Sequence, residues 1–253
     1  MIYMLLRSGL TGFGLVIVGC ILVIVLVFSL SIHEIMHGYV AYKLGDDTAK
    51  MQGRLTLNPL AHLDPFGTLM MLIAGFGWAK PVPVNYGKLT RFKNRFVSIR
   101  LVSIAGVTSN FVIALISYLF FVLISYAGIK SGLLTDYSQI GSALPFGGTL
   151  LLIFQLLMYY MYYFNLMLMA FNILPIPPLD GYHFGETFIP YKWRQKLNSY
   201  ERYAGILLLV LIVFGNFSGF NPLGRLITFI EIPFKFIIET PINALANILG
   251  KTL

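Results

Sequence analysis

Residues 9–37 read GLTGFGLVIVGCILVIVLVFSLSIHEIMH. The segment 9–32 carries no charge, and a helix of that length spans a hydrocarbon core of about 30 Å. Three ionisable side chains, His33, Glu34 and His37, follow without a break. Each such group costs about 2.5–3.5 kcal/mol near the centre of a membrane helix, and a bound metal with a local water pocket would explain their presence. The stretch therefore predicts a membrane helix that ends in a metal site.

The chemistry of this site follows from the spacing of its residues. On a helix, positions i and i+4 share a face, so the imidazoles of His33 and His37 can reach one ion. Zinc accepts nitrogen ligands at about 2.0–2.1 Å and keeps a water in a catalytic site. Glu34 lies one step round the helix, where it can take a proton from that water. We predict a Zn²⁺ site with Glu34 as its catalytic residue.

Two histidines leave at least one protein ligand to be found. Asp180 is favoured because it closes a long apolar run in FNILPIPPLDG, where three prolines prevent an ordinary helix. A charge on broken backbone at membrane depth is expected to line a cavity. Other acidic or imidazole side chains stay open as alternatives. These are Asp46, Asp47, His62, Asp64 and His183.

Composition and charge extend the membrane prediction to the whole chain. Hydrophobic residues make up 57% of the 253 residues and charged residues 11%, well below the roughly 25% usual in globular proteins. Of the 18 Lys and Arg residues, nine lie between positions 41 and 100 and four within 176–202, whereas 128–147 contains only Lys130. This asymmetry predicts that the two basic segments are cytoplasmic and explains the net charge of +8 without nucleic acid.

The apolar runs predict spans at about 10–32 (its helix continuing to about 44), 98–127, 148–174 and 203–220. The run at 63–78 is short for a crossing helix and would separate two basic stretches, so we predict a re-entrant segment there. Segment 226–253 is either interfacial or a broken span. We expect a single integral membrane domain over 1–253, with a core at 10–185 and accessory C-terminal helices at 200–253.

The segment GWAKPVPVN has prolines at alternate positions, Pro81 and Pro83, which leaves one side of an extended strand able to pair. This pattern is typical of an edge strand, and a rigid extended linker is the alternative. We predict that the strand at 76–84 pairs with an unwound substrate. The predicted fold class is an all-α multi-pass membrane protein of four to six transmembrane helices, with a small membrane-associated β-hairpin or sheet between the first and second spans.

Several of these motifs together resemble the site-2 protease family of intramembrane metalloproteases. They are HEIMH at the end of a membrane helix and an N-x-x-P-x-P-P-L-D-G run at 172–181. The stretches GRLTLNPLAHLDPFGT (53–68) and GWAKPVPVN (77–85) resemble a compact prokaryotic branch of the family without PDZ or cystathionine-synthase-like domains. The resemblance covers about residues 30–185. It implies that His33, His37 and Asp180 are the zinc ligands and that Glu34 is the catalytic acid/base.

The resemblance also makes Asn172 and Asn110 candidate contacts to the substrate or transition state. One position departs from the family pattern, because Val107 stands where the A-G-P-x-x-N turn usually has proline. This departure puts the role of Asn110 in doubt, and ordinary interhelical hydrogen bonding is the alternative for it.

The function expected is zinc-dependent hydrolysis of peptide bonds within or near transmembrane segments. A metal-ion transporter and a catalytically inactive membrane scaffold are the alternatives, although the chain has no internal repeat of the kind many transporters show. The expected partners are single-span membrane proteins and the lipid bilayer, with no nucleic acid. The expected location is a prokaryotic plasma membrane, with the active site near the cytoplasmic face; the sequence does not indicate an oligomeric state.

Overall fold

A computed structural model of the protein describes residues 12–74, 77–133, 146–218 and 221–251. Within these ranges the regular elements are nine α-helices and two single-turn 3₁₀ helices, at Pro59–Ala61 and Tyr86–Lys88. The α-helices are α1 (Gly12–Lys43), α2 (Thr48–Met51), α3 (Pro65–Ala74), α4 (Arg95–Lys130), α5 (Phe146–Asn172), α6 (Asp180–Glu186), α7 (Tyr191–Asn198), α8 (Glu201–Ser218) and α9 (Pro222–Lys251).

Three helices, α1, α4 and α5, are long and apolar enough to cross a membrane. The apolar part of α8, Tyr203–Gly215, is shorter, and α9 carries several charges along its length. The prediction of four to six transmembrane helices is therefore wrong for the described residues, where three satisfy both length and composition. A continuous helix runs through segment 226–251 in spite of Pro233 and Pro241.

The predicted β-hairpin is also wrong. The described part of the chain contains no strand, and the nearest feature is a single isolated bridge between Leu63 and Ala79. The reason is that the 79–85 segment has few backbone N–H groups free to pair with another strand. Pro81 and Pro83 have no backbone N–H, and the N–H of Val82 between them donates to Glu34 Oε2 at 2.8 Å. That N–H cannot also pair with a neighbouring strand, so the segment is an extended linker, the alternative considered for it. Its pairing with an unwound substrate stays a prediction.

The described ends of the 63–79 stretch lie close together. Leu63 and Ala79 form an isolated bridge, and the rings of Phe66 and Trp78 have centroids 5.7 Å apart. The two ends of the stretch thus lie together, which a re-entrant segment requires. Its entry into the membrane stays a prediction.

Helix α4 packs against α1 and α5 through a face of small residues. Small side chains let helix backbones approach closely, which is how membrane helices gain packing energy without a hydrophobic driving force. The residues of this buried face recur at helical spacing. They are Ser98, Val102, Ser103, Ala105, Gly106, Ser109, Asn110, Ala114 and Ser117. The close approach brings the middle of α4 against the histidine end of α1.

Helix α9 closes the bundle by packing on α4 and α5. Its Ile238 is fully buried in a cluster with Leu166 and Met169 of α5. The neighbouring Ile237 is 55% exposed. The cluster fixes α9 against the helices that form the rest of the core.

We expect Ile238→Ala to destabilise the protein by about 2–5 kcal/mol, because it leaves a cavity in a packed cluster. Ile237→Ala removes the same atoms from an exposed position and should have little effect. Thermal unfolding in detergent compares the two variants. Equal shifts in the unfolding midpoint would show that α9 does not depend on this contact.

Candidate metal centre

Helices α1 and α6 bring three metal-ligating side chains together. His33 and His37 lie one turn apart on α1, and Asp180 is the first residue of α6. The two Nε2 atoms are 3.0 Å apart, and Asp180 Oδ2 lies 3.1 Å from one and 3.2 Å from the other. Among the described residues this is the group of three or more His, Cys, Asp or Glu side chains whose geometry suits a metal ion.

The orientation of His37 is fixed by the backbone of α4. Its Nδ1 lies 2.7 Å from the carbonyl oxygen of Val102. A carbonyl only accepts, so Nδ1 carries the proton, and in the neutral ring Nε2 presents a lone pair. The hydrogen bond at Nδ1 therefore orients the ring so that Nε2 is available to bind a metal ion.

The orientation of His33 is fixed by a longer chain of hydrogen bonds. Asn165 Nδ2 donates to the carbonyl oxygen of Met161 at 2.8 Å, so the Asn165 Oδ1 atom is left to accept. It accepts from Asn110 Nδ2 at 2.8 Å, and Asn110 Oδ1 therefore faces His33 Nδ1, at 2.5 Å. Because that oxygen accepts, His33 Nδ1 also carries its proton and its Nε2 presents a lone pair.

Three acceptor atoms consequently face one another. Asp180 Oδ2 is buried without a hydrogen-bond donor although two imidazole nitrogens lie beside it. Such an arrangement is repulsive unless a cation occupies the centre. Tetrahedral zinc at about 2.0–2.1 Å places its ligand atoms about 3.3 Å apart, close to the observed spacings of 3.0–3.2 Å. The residues present therefore fit a zinc ion.

The charge of Asp180 suits the same role. An opposite charge within about 4–6 Å favours the ionised form of a carboxyl, so a bound cation would keep Asp180 ionised at neutral pH. An ionised carboxylate with two imidazoles is a ligand set used by zinc hydrolases, which leaves a fourth position open for water or substrate.

Gly106 of α4 leaves the space in which the imidazoles meet. A Cβ atom at this position would lie 2.6 Å from His33 Nε2 and even closer to His37 Nε2. The two imidazole rings cannot move aside easily, because the Nδ1 atom of each is hydrogen-bonded to a residue of α4. A glycine at 106 is thus a requirement of the metal site.

Glu34 lies beside the three ligands and lines the same cavity. Its Oε2 atom accepts the N–H of Val82 from the extended linker. The carboxylate is thus positioned by a donor outside its own helix. Asn172, at the end of α5, also lines this cavity, and its Nδ2 donates to the carbonyl oxygen of Leu168 at 3.0 Å.

Asn110 has a different position from the one the resemblance implied. Its side chain is fully buried behind the imidazole of His33. Its two hydrogen bonds join α1, α4 and α5, which is the interhelical bonding considered as the alternative. Asn110 is therefore placed to orient a ligand.

The five alternative ligands each have partners outside the group of three. They are Asp46, Asp47, His62, Asp64 and His183. The first four bind residues of the 46–88 region, where Asp46 accepts the N–H of Thr48 and Asp64 that of Gly67. His183 lines the cavity but pairs with Glu186 at 3.4 Å.

Sequence reasoning missed two polar residues that support the site. Asn165 and Ser29 are both fully buried, and Asn165 Nδ2 donates to Ser29 Oγ at 2.7 Å. The available signal was polarity, because an asparagine within an apolar span usually forms a bond to another helix. Its partner was not readable from the sequence.

A membrane helix carrying His-Glu-x-x-His, joined by a carboxylate from a proline-broken segment, defines a class: membrane-embedded zinc metalloproteases. The chain belongs to peptidase family M50, whose profile matches residues 21–215. It is thus a zinc metalloprotease, as the sequence predicted, and the resemblance to the site-2 protease family is confirmed.

Curated relatives agree with this assignment. The chain is 46% identical over 196 residues to "Putative zinc metalloprotease YwhC" of Bacillus subtilis, covering 76% of this chain and 80% of the relative. Two proteins named "Putative zinc metalloprotease Rip2" are 27% identical in Mycolicibacterium smegmatis (73% of this chain, 63% of the relative) and 28% identical in Mycobacterium tuberculosis (76% and 66%). No solved structure gives a significant match.

Gly106→Ala should lower zinc affinity by more than tenfold, because the added methyl group occupies the space between the imidazoles. Gly185→Ala, where a Cβ meets nothing within 4 Å, is the matched control. Zinc content after dialysis against graded chelator measures both. Normal zinc retention by Gly106→Ala would contradict the geometry.

Asn110→Leu should weaken zinc binding by about 10- to 100-fold, since His33 Nδ1 loses the acceptor that orients its ring. Asn243→Leu makes the same change at an asparagine that bonds Tyr118 instead. Competition with a chromogenic chelator gives the two affinities. An unaltered affinity in Asn110→Leu would show that the ring is held by packing alone.

Proposed function

We propose that the protein hydrolyses peptide bonds within or beside the transmembrane segments of single-span membrane proteins. In this proposal His33, His37 and Asp180 hold zinc and Glu34 moves the protons. The observation that carries it is the convergence of three acceptor atoms beside the Glu34 carboxylate, in a cavity of about 1440 Å³. The walls of the cavity include residues of α1, α5, α8 and α9.

Zinc, when bound, supplies a Lewis acid that polarises the scissile carbonyl and makes water a better nucleophile. Glu34 accepts a proton from the attacking water and returns it to the nitrogen of the leaving amine. The Val82 N–H holds the Glu34 carboxylate while this happens, because it bonds Oε2 and leaves Oε1 for the proton. The linker between its two prolines therefore takes part as a positioning element.

Asn172 is the candidate for contact with the substrate. Its side chain lines the cavity, and its amide Nδ2 donates a hydrogen bond to the carbonyl oxygen of Leu168 when no substrate is bound. Rotation of the side chain would release this weak local bond and offer the amide to the developing oxyanion. Asn110 has no such access, since it is fully buried behind His33.

The orientation proposed for the protein puts this site near the cytoplasmic face of a prokaryotic plasma membrane. Helices α1 and α4 run in opposite directions. Ala41 and Leu44, at the carboxyl end of α1, pack with Val102, near the amino end of α4. The basic stretches before and after residue 63 therefore lie at the end of the bundle that holds the histidines. Basic segments of this kind stay on the cytoplasmic side.

Glu34→Gln should lower the rate of cleavage of a reconstituted single-span substrate by at least about 100-fold, because the amide cannot take a proton. The zinc content should stay normal. His37→Ala and Asp180→Ala should lose zinc as well as activity. Cleavage is followed by mass spectrometry of the products in liposomes.

Asp47→Asn is the control, since Asp47 pairs with Lys88 at the surface. Cleavage that persists in Glu34→Gln would refute the assignment of the proton-transferring residue. Zinc transport into the liposomes without cleavage would favour a transporter instead.

A further inference from the structure

The cavity continues well beyond the metal centre. It follows one face of α5 from Asn172 through Leu168 to Phe164, away from the end that holds the zinc ligands. Helices α8 and α9 form the other walls, with Leu208 and Ile227 among the lining side chains. An unwound peptide leaving the zinc site in this direction would meet a lining that is mostly apolar.

Glu231 interrupts this apolar lining. It lies in α9, its residue is 5% exposed, and it is one of the cavity-lining side chains. Its Oε2 atom accepts a hydrogen bond from Lys235 Nζ at 2.8 Å. The carboxylate is the deeper member of the pair, since its side chain is 7% exposed whereas that of Lys235 is 33% exposed.

A buried carboxylate is costly unless it is paired and hydrogen-bonded. Replacing such an ion pair by apolar side chains is often neutral or stabilising, so the pair is weak evidence of a structural role. Ionisable residues inside a membrane bundle usually face a cavity and mark the path of a ligand. A carboxylate only accepts hydrogen bonds, which restricts its ligand to a cation or a neutral donor.

The rise of α9 sets the scale of the separation between the zinc end of the cavity and Glu231. Leu223 lies in one cluster with Leu179, the residue before Asp180, and Ile227 and Ile230 pack against the same cluster. From Leu223 to Glu231 the helix rises at most about 12 Å, at 1.5 Å per residue. An extended peptide covers about 3.3 Å per residue, so this distance equals three or four residues of substrate.

We propose that Glu231 is a specificity-determining residue. It selects substrates with a lysine, arginine or neutral hydrogen-bond donor three or four residues from the scissile bond, on the membrane-buried side. The inference rests on the proposed function, because it assumes that the cavity holds an unwound substrate. Lys235 occupies the carboxylate in the resting protein, and the substrate's donor joins or replaces it.

The test uses a single-span substrate with leucines on the membrane-buried side of the cut. One lysine is moved through the eight positions that follow the scissile bond, and kcat/KM is measured in liposomes for each. We expect a preference of at least tenfold for lysine over leucine at the third or fourth position. A flat profile, or a maximum elsewhere, overturns the inference without the need for any variant.

Glu231→Gln should reduce the lysine-to-leucine ratio of kcat/KM at that position at least tenfold, and Lys235→Met should raise it. Glu239→Gln is the matched control, because Glu239 lies on the same helix but bonds Tyr162 and is not part of the cavity lining. A structural role for the ion pair would change the cleavage of all substrates alike and leave the ratio unaltered, which would overturn the inference. Thermal unfolding of each variant reports its folding.

Failure of the proposed function has a different signature. Wild-type protein with a full zinc content that cuts no substrate in the series, or cutting that persists in Glu34→Gln, would refute both proposals together. Cleavage that requires Glu34 but whose lysine-to-leucine ratio does not depend on Glu231 would refute the specificity proposal alone.

Discussion

Three electron-rich atoms held face to face are the constraint on which this structure depends. The Nε2 atoms of two histidines and one oxygen of Asp180 lie 3.0–3.2 Å apart in a region that is largely shielded from water. Without a positive charge between them the arrangement would be unfavourable. Much of the bundle keeps these atoms in place, from the backbone carbonyl behind His37 to the glycine that leaves room for both rings.

The polar network behind His33 explains why α4 has the sequence that it has. Small residues let α1, α4 and α5 approach closely, and Asn110 then reaches both His33 and Asn165. In an apolar environment each of these groups needs a partner, and the network supplies one for each. The fold therefore fixes the tautomer of a metal ligand through the contact of three helices.

Local patterns in the sequence predicted the parts of the site that local geometry determines. His33, Glu34 and His37 are readable because a helix places positions i and i+4 on one face. Asp180 was predicted from charge and depth, and it lies with the two histidines in the structure. Asn165, Ser29 and Glu231 could not be assigned, because their roles depend on which helices meet. The extended linker shows the same limit: its prolines indicated an extended backbone, but not that Val82 would bond a carboxylate.

The ligand set also has a mechanical consequence. His37 and Asp180 are separated by about 140 residues of chain, so an ion bound to both acts as a cross-link that closes a very long loop. Such a tie joins the first membrane helix to the segment that follows the third. Metal binding and assembly of the bundle are then linked by mass action, and the free energy of unfolding is expected to rise with the logarithm of the free zinc concentration above the dissociation constant.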